Sequence, residues 1–65
     1  MKVRYFEETD TLHIVFRNSS PVETRDLDEN TLIDLDADGH VCGITLEHAQ
    51  ARVGDPAVEY EKIAA

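Results

Sequence analysis

Two stretches near the start of the chain alternate between apolar and polar residues over most of their length. They span residues 2–6 and 11–17 and are rich in β-branched and aromatic side chains. This pattern is typical of half-buried β-strands. The polar residues 7–10 predict a four-residue loop that pairs Phe6 with Thr11. That register places one set of apolar side chains on a single face, namely Val3, Tyr5, Leu12, Ile14 and Phe16.

The next segment, residues 22–27, carries a weaker strand pattern because neither of its faces is consistently apolar. It follows Pro21, which lacks a backbone N–H group and therefore suits the start of a strand. Its charged side chains would discourage other chains from pairing with an exposed edge. We expect an edge strand or an irregular segment here.

The strongest short-range signal is Asp38-Gly39 between two alternating apolar segments, a pattern typical of a β-hairpin. A two-residue turn at this point pairs Leu35 with Cys42 and, further along, Ile33 with Ile44 and Thr31 with Leu46. The same register pairs Asp36 with Val41 and turns Asp34 and Asp36 outward. We expect structural roles for three hairpin residues: Asp38, Gly39 and Gly43.

After Leu46 the period changes, and residues 47–53 favour a helix that Gly54 would end. Residues 54–65 have few apolar anchors and predict a loose or helical tail, with Asp55-Pro56 as a possible helix start. The whole chain, residues 1–65, is then a single α+β domain. We expect a small antiparallel β-meander of four or five strands with one C-terminal α-helix packed on the sheet.

The charge balance narrows the classes of partner. The chain has 14 acidic and 6 basic residues and a net charge of −8. Nucleic acids and anionic membrane surfaces are disfavoured, because their phosphates need a Lys/Arg footprint. A single cysteine in 65 residues excludes an intrachain disulfide and favours a reducing, cytoplasmic environment.

Asp34-x-Asp36-x-Asp38-Gly39 matches the opening of a calcium-binding loop. A complete loop needs a glutamate at the twelfth position and flanking helices, whereas this chain has Thr45 and two predicted strands. The three aspartates are therefore weak candidates for a metal site. We expect no cofactor.

Other possible metal ligands or catalytic groups are few: His13, His40, His48 and Cys42. A structural zinc site needs four ligands, and no second cysteine or closely spaced histidine pair is present. Cys42 faces Leu35 in the predicted register, which indicates a small core residue. We expect no catalytic residues and no enzymatic activity.

Three apolar residues fall on the predicted outer face: Val15, Leu32 and Val41. Exposed apolar residues that form a contiguous group mark an interface. They are the interface candidates.

Two motifs resemble a small, mainly bacterial family catalogued as domain of unknown function 2283. The first motif is Tyr5-x4-Asp10-x-Leu12-x-Ile14. The second runs from Leu32 to Ile44 and contains Asp34-Leu35-Asp36-x-Asp38-Gly39-x-Val41-x-Gly43. The resemblance implies a small antiparallel sheet that ends in a helix, and antitoxin-like partners for some members. The family's usual acidic residue after the isoleucine is replaced here by Thr45.

Two functions follow as hypotheses. The first is an interaction module that associates with itself, as a dimer, or with a small basic protein in an antitoxin-like manner. It rests on a core that is small for an independent domain and on an acidic surface. The alternative is a metal-binding or regulatory domain that uses Asp34, Asp36 and Asp38.

Overall fold

The computed structural model describes residues 1–55 and 57–64. Its strands are β1 (Lys2–Phe6), β2 (Thr11–Val15), β3 (Glu23–Asp28), β4 (Thr31–Leu35) and β5 (Val41–Glu47), and its helix is α1 (Ala49–Val53). All neighbouring strands are antiparallel. The predicted α+β class, an antiparallel sheet with a C-terminal helix, is confirmed.

The strand order is β1-β2-β5-β4-β3. A β1–β2 hairpin is thus joined to a β3–β4–β5 meander by pairing between β2 and β5. The last strand in the sequence lies at the centre of the sheet, and β1 and β3 form its two edges. The segment that had the weakest strand pattern is one of those edges, as predicted.

The register of the first hairpin is as predicted. Phe6 pairs with Thr11, Tyr5 with Leu12, and Val3 with Ile14. Asp10 closes the loop with a left-handed φ of 53°. Short polar residues tolerate this conformation better than most, because their side chains can hydrogen-bond locally.

The β4–β5 hairpin follows the predicted register only away from its tip. Ile33 pairs with Ile44 and Thr31 with Leu46, but Leu35 pairs with Val41 rather than with Cys42. The predicted two-residue turn is therefore wrong, and so is the predicted pairing of Asp36 with Val41.

The tip is instead a three-residue loop, residues 37–39. The Gly39 N–H donates to the Asp36 carbonyl at 3.0 Å, and the Asp36 N–H donates to the His40 carbonyl at 2.9 Å. Gly39 has φ 81°, as expected for a glycine that follows a turn in such loops. Cys42 is then the additional residue of a β-bulge, which restores the register at the Asp34–Gly43 pair.

Directly paired residues share a face of an antiparallel sheet, so the registers define two faces. We call one the apolar face. In β1, β2, β4 and β5 it comprises Val3, Tyr5, Leu12, Ile14, Thr31, Ile33, Leu35, Ile44 and Leu46. At the bulge, Val41 pairs with Leu35, and the unpaired Cys42 is buried. The opposite face, which we call the polar face, includes Lys2, Arg4, His13, Thr24, Asp26 and Asp34.

Helix α1 begins at Ala49, two residues later than predicted, and has only five residues. Its N–H groups are tied to the β1–β2 loop: Ala49 donates to the Asp10 carbonyl at 2.9 Å and Gln50 to the Asp10 carboxylate at 3.1 Å. Arg52 holds the β3–β4 loop through the Asn30 carbonyl at 2.6 Å. The helix therefore closes one end of the sheet.

The predicted tail is partly described. Residues 57–64 have no regular secondary structure, so the helical alternative for them is wrong. Pro56, at the predicted helix start, and Ala65 lie outside the described residues.

Gly43 lies on the central strand β5, paired with Val15 of β2 and Asp34 of β4. A Cβ atom at this position would lie 3.1 Å from Asp34 Oδ2 and 3.2 Å from the Ile14 carbonyl oxygen. These contacts are tight, so both neighbours would have to shift by a few tenths of an ångström, and the carbonyl belongs to the backbone of β2. Glycine is therefore favoured at this position.

We expect Gly43→Ala to destabilise the fold by about 1–3 kcal/mol, the usual cost of extra volume in a packed site. Urea denaturation followed by circular dichroism measures this. Combining it with Asp34→Ala removes one of the two contacts, so the double variant should lose less than the sum of the single variants. A change within about 0.5 kcal/mol for Gly43→Ala, the range of ordinary surface substitutions, would contradict the steric account.

Candidate interaction surface

The apolar face has no charged residue in strands β1, β2, β4 and β5. Charge enters only at β3, where Arg25 pairs in register with Ile33 and Glu23 with Leu35. Arg25 and Glu23 also form an ion pair with each other. The face is thus apolar at its centre and charged along one rim, the arrangement seen in protein interfaces.

The two ends of the apolar face are covered by loops and by helix α1. At the helix end Ala49 is completely buried and Leu12 is 6% exposed. At the hairpin-loop end Leu35 and Cys42 are buried, and the Cys42 carbonyl accepts the Phe16 N–H at 2.8 Å. These four buried residues form the core of the domain.

The middle of the apolar face is not covered. Ile14 and Ile44 are only half-buried, although they lie on strands that have neighbours on both sides. Val3 and Ile33, which continue the same row, are half-buried too. A sheet normally buries such a row under a second layer, and no large side chain among the described residues is fully buried.

The chain exposes more surface and is less compact than a typical folded monomer of its size. Its accessible surface is 5177 Å², whereas a folded monomer of this mass exposes about 4,200 Å². Its radius of gyration is 12.8 Å, against about 10.7 Å for a compact domain of this length. Part of the excess surface belongs to residues 57–64, which are all exposed.

Asp34 lies on the polar face, as predicted. Its carboxylate accepts the Thr24 hydroxyl at 2.7 Å and lies 3.6 Å from His13 Nε2. It therefore joins strands β2, β3 and β4 on this face.

Asp36 is 8% exposed, so the prediction that it points outward is wrong. Its Oδ1 atom accepts the backbone N–H groups of Asp38 and His40, each at 3.0 Å. These donors lie inside the tight loop and lack strand partners, so the carboxylate turns back to satisfy them. This local bonding overrides the alternation from which the outward direction was predicted.

Hydrogen bonding holds the pKa of the Asp36 carboxyl below its usual value. The His40 N–H is the largest cause and the Asp38 N–H adds to it, while burial acts in the opposite direction. Arg17 contributes through its charge, with Nη1 3.9 Å from Asp36 Oδ2. The same Nη1 donates to His40 Nδ1 at 2.7 Å.

The structure brings together two of the three predicted metal candidates, Asp36 and Asp38, and adds His40. One ligand atom each from Asp36, Asp38 and His40 falls within 4.8 Å of the others, while Asp34 points to the polar face. The Arg17 guanidinium already supplies positive charge beside Asp36. Metal binding by the aspartates stays a prediction, and this arrangement does not favour it.

The other candidate ligands are dispersed. His13 lies on the polar face, and His48 precedes helix α1 with a left-handed φ of 56°. Cys42 is a free thiol in the buried core, with Sγ 3.5 Å from the Asp34 carbonyl oxygen. Its position agrees with the predicted core residue.

The sequence model of one family, described as protein of unknown function (DUF2283), matches residues 2–50. The chain belongs to this family. The match covers the whole DUF2283 sheet and ends inside helix α1. No curated protein and no solved structure matches the chain significantly. In the described residues, no helix has the length and apolar character needed to cross a bilayer.

The predicted interface residues of this DUF2283 chain are separated in space. Val15 pairs with Gly43 and Leu32 with Thr45, so β5 lies between them, and both are half-buried on the polar face. Val41 is 43% exposed and lies at the bulge. Their role in an interface stays a prediction.

The open apolar face is the feature that the sequence reasoning missed, because a helix was expected to cover it. One signal was available. A helix of residues 47–53 is about 10 Å long, whereas four strand spacings measure about 19 Å. Such a helix cannot cover a five-stranded sheet.

We expect Asp36→Asn to destabilise the domain above about pH 4, near the pKa of an unfolded aspartate. The pKa of Asp36 is lowered by folding, so its charge stabilises the native state above the unfolded pKa. That stabilisation disappears as the pH falls through the lowered native pKa.

Urea denaturation at several pH values measures the difference between Asp36→Asn and the parent protein. The two should converge towards pH 2. Asp38→Asn, an exposed neighbour in the same loop, is the matched control and should show a smaller difference. A constant difference between pH 2 and 7 would be inconsistent with this account.

Proposed function

We propose that this chain is a protein-interaction module that associates with a second copy through the apolar face. The observation that carries the proposal is the half-buried row of Val3, Ile14, Ile33 and Ile44 across four strands. Burying apolar surface is the main driving force for association. Such a module fits the family resemblance, which implies antitoxin-like partners for some members.

A second copy suits this face because the face is complementary to itself. Its strand residues carry no charge outside β3, so two copies stacked face to face bury no unpaired charge at the centre. Sheets pack in this way about 10 Å apart, with interdigitating side chains. The pairing would follow a two-fold axis, as in most homodimers.

A small basic protein is the second candidate partner, in the antitoxin-like role. The observation in its favour is the net charge of −8. The acidic residues lie on the polar face, at the β3 edge and in loops, so this partner would bind elsewhere than at the uncharged centre of the apolar face. We also propose a bacterial cytoplasmic location, which the single cysteine, a buried free thiol, supports.

Sedimentation velocity and native mass spectrometry test the dimer. We expect a dimer for the parent protein and at least 100-fold weaker association for Ile44→Lys, because an unpaired buried charge costs several kcal/mol. Thr45→Lys is the matched control. It adds the same charge one residue away on the opposite face and should leave the dimer intact.

Val3→Lys repeats the test on the edge strand β1, where a substitution disturbs the fold less than it would in the central strand. Circular dichroism verifies that each variant is folded. A parent protein that stays monomeric at high micromolar concentration would refute self-association. Equal weakening by Ile44→Lys and Thr45→Lys would assign association to another surface. A monomer that instead retains a small basic protein on purification would support the antitoxin-like role.

A further inference from the structure

Residues 57–64 carry large apolar side chains in water. Val58 is 62% exposed, Tyr60 is 86% exposed and Ile63 is 81% exposed. Between them stand two acidic residues, so residues 58–61 read Val-Glu-Tyr-Glu. This is the period-2 alternation of a β-strand, with one apolar side and one acidic side.

Strand β1 has the matching alternation. It pairs with β2 on one side only, and its other edge is free in the described structure. Lys2 and Arg4 lie on the polar face, while Val3 and Tyr5 lie on the apolar face. Neither Lys2 nor Arg4 forms an ion pair with a carboxylate of the described residues.

We propose that residues 57–61 bind to the free edge of β1 as an antiparallel sixth strand. Each position in this register is complementary. Glu59 lies opposite Arg4 and Glu61 opposite Lys2 on the polar face. Val58 lies opposite Tyr5, and Tyr60 opposite Val3, on the apolar face.

The path of the chain agrees with this direction. Ala49 and Gln50 donate to Asp10, at 2.9 and 3.1 Å, and the same aspartate accepts the Tyr5 hydroxyl at 2.7 Å. The five-residue helix α1 therefore begins beside the C-terminal end of β1. Three residue steps, which span at most about 11 Å, separate Asp55 from Val58.

Other registers are less favourable. Moving the segment by one residue places acidic side chains on the apolar face and apolar ones beside Lys2 and Arg4. Moving it by two residues in one direction puts Lys62 opposite Val3. Moving it by two residues in the other direction leaves Glu61 beyond the end of β1. The sixth strand would also cover an exposed sheet edge, which natural proteins commonly protect.

Docking of the segment is independent of the proposed dimer, because it uses the edge of the sheet rather than the centre of the apolar face. It would nevertheless enlarge that face, since Val58 and Tyr60 would extend it beyond β1.

Amide hydrogen exchange measured by NMR on the full chain tests the proposal. We expect at least tenfold protection of alternate amides within residues 58–61, at a protein concentration that does not change the result on dilution. The double variant Lys2→Glu/Arg4→Glu should remove this protection through like-charge repulsion. Glu59→Lys/Glu61→Lys should do the same.

Combining all four substitutions restores opposite charges in every polar pair and should restore the protection. Glu7→Lys/Glu8→Lys is the matched control, since it changes the net charge equally in the exposed β1–β2 loop and should leave the protection unchanged. Restored protection in the fourfold variant would show that the two segments pair directly, because a general effect of charge on amide exchange would not depend on matching the two segments.

Three results would overturn the proposal: no protection in the parent protein, protection that survives both charge reversals, or protection that increases with protein concentration. The last result would assign the segment to the β1 edge of another copy. Sedimentation of Glu59→Lys/Glu61→Lys reports separately on the proposed dimer, which this variant should retain.

Discussion

The pairing of β5 with β2 on one side and β4 on the other is the constraint on which the sheet depends. Without it, the β1–β2 hairpin would be separate from the β3–β4–β5 meander, and an isolated two-stranded hairpin is marginally stable in water. Gly43 favours the junction, because a Cβ atom there would be in tight contact with the Asp34 side chain and the Ile14 carbonyl oxygen. The same junction aligns isoleucines of β2, β4 and β5 in one row.

The acidic sequence of the β4–β5 hairpin has a structural explanation. Asp34 joins neighbouring strands through Thr24, and Asp36 satisfies two N–H groups of its own loop. Gly39 supplies the left-handed residue that a three-residue loop requires. A sequence that resembles a calcium-binding loop can therefore arise in a tight hairpin whose side chains hydrogen-bond to its own backbone.

The described residues form a single layer, and their one helix lies at one end of the sheet. Its core consists of the covered ends of the apolar face, where Leu12, Leu35, Cys42 and Ala49 are buried. The middle of the face has no cover within the described chain. This is a physical reason to look for function in association, since small folds with little interior commonly gain stability from a partner.

How much could be read from the sequence depended on how local the interaction was. Alternation correctly predicted both faces of β1 and β2, the first hairpin register and most of the β4–β5 register. A period of two and a short loop leave few other pairings that bury the apolar residues together. The edge position of β3 was also predictable, because its two faces are similar in polarity.

Tertiary structure alone decided the remaining features. The β2–β5 pairing joins segments that are distant in sequence, and nothing in either strand specifies its neighbour. The bulge at Cys42 and the burial of Asp36 have the same cause. Two N–H groups of the loop donate to the Asp36 carboxylate, which the alternating pattern predicted to face solvent. The open apolar face follows from the short helix and its anchoring by Asp10 and Asn30 at one end of the sheet. The sequence determined which residues avoid water, and the three-dimensional arrangement determined which of them remain uncovered.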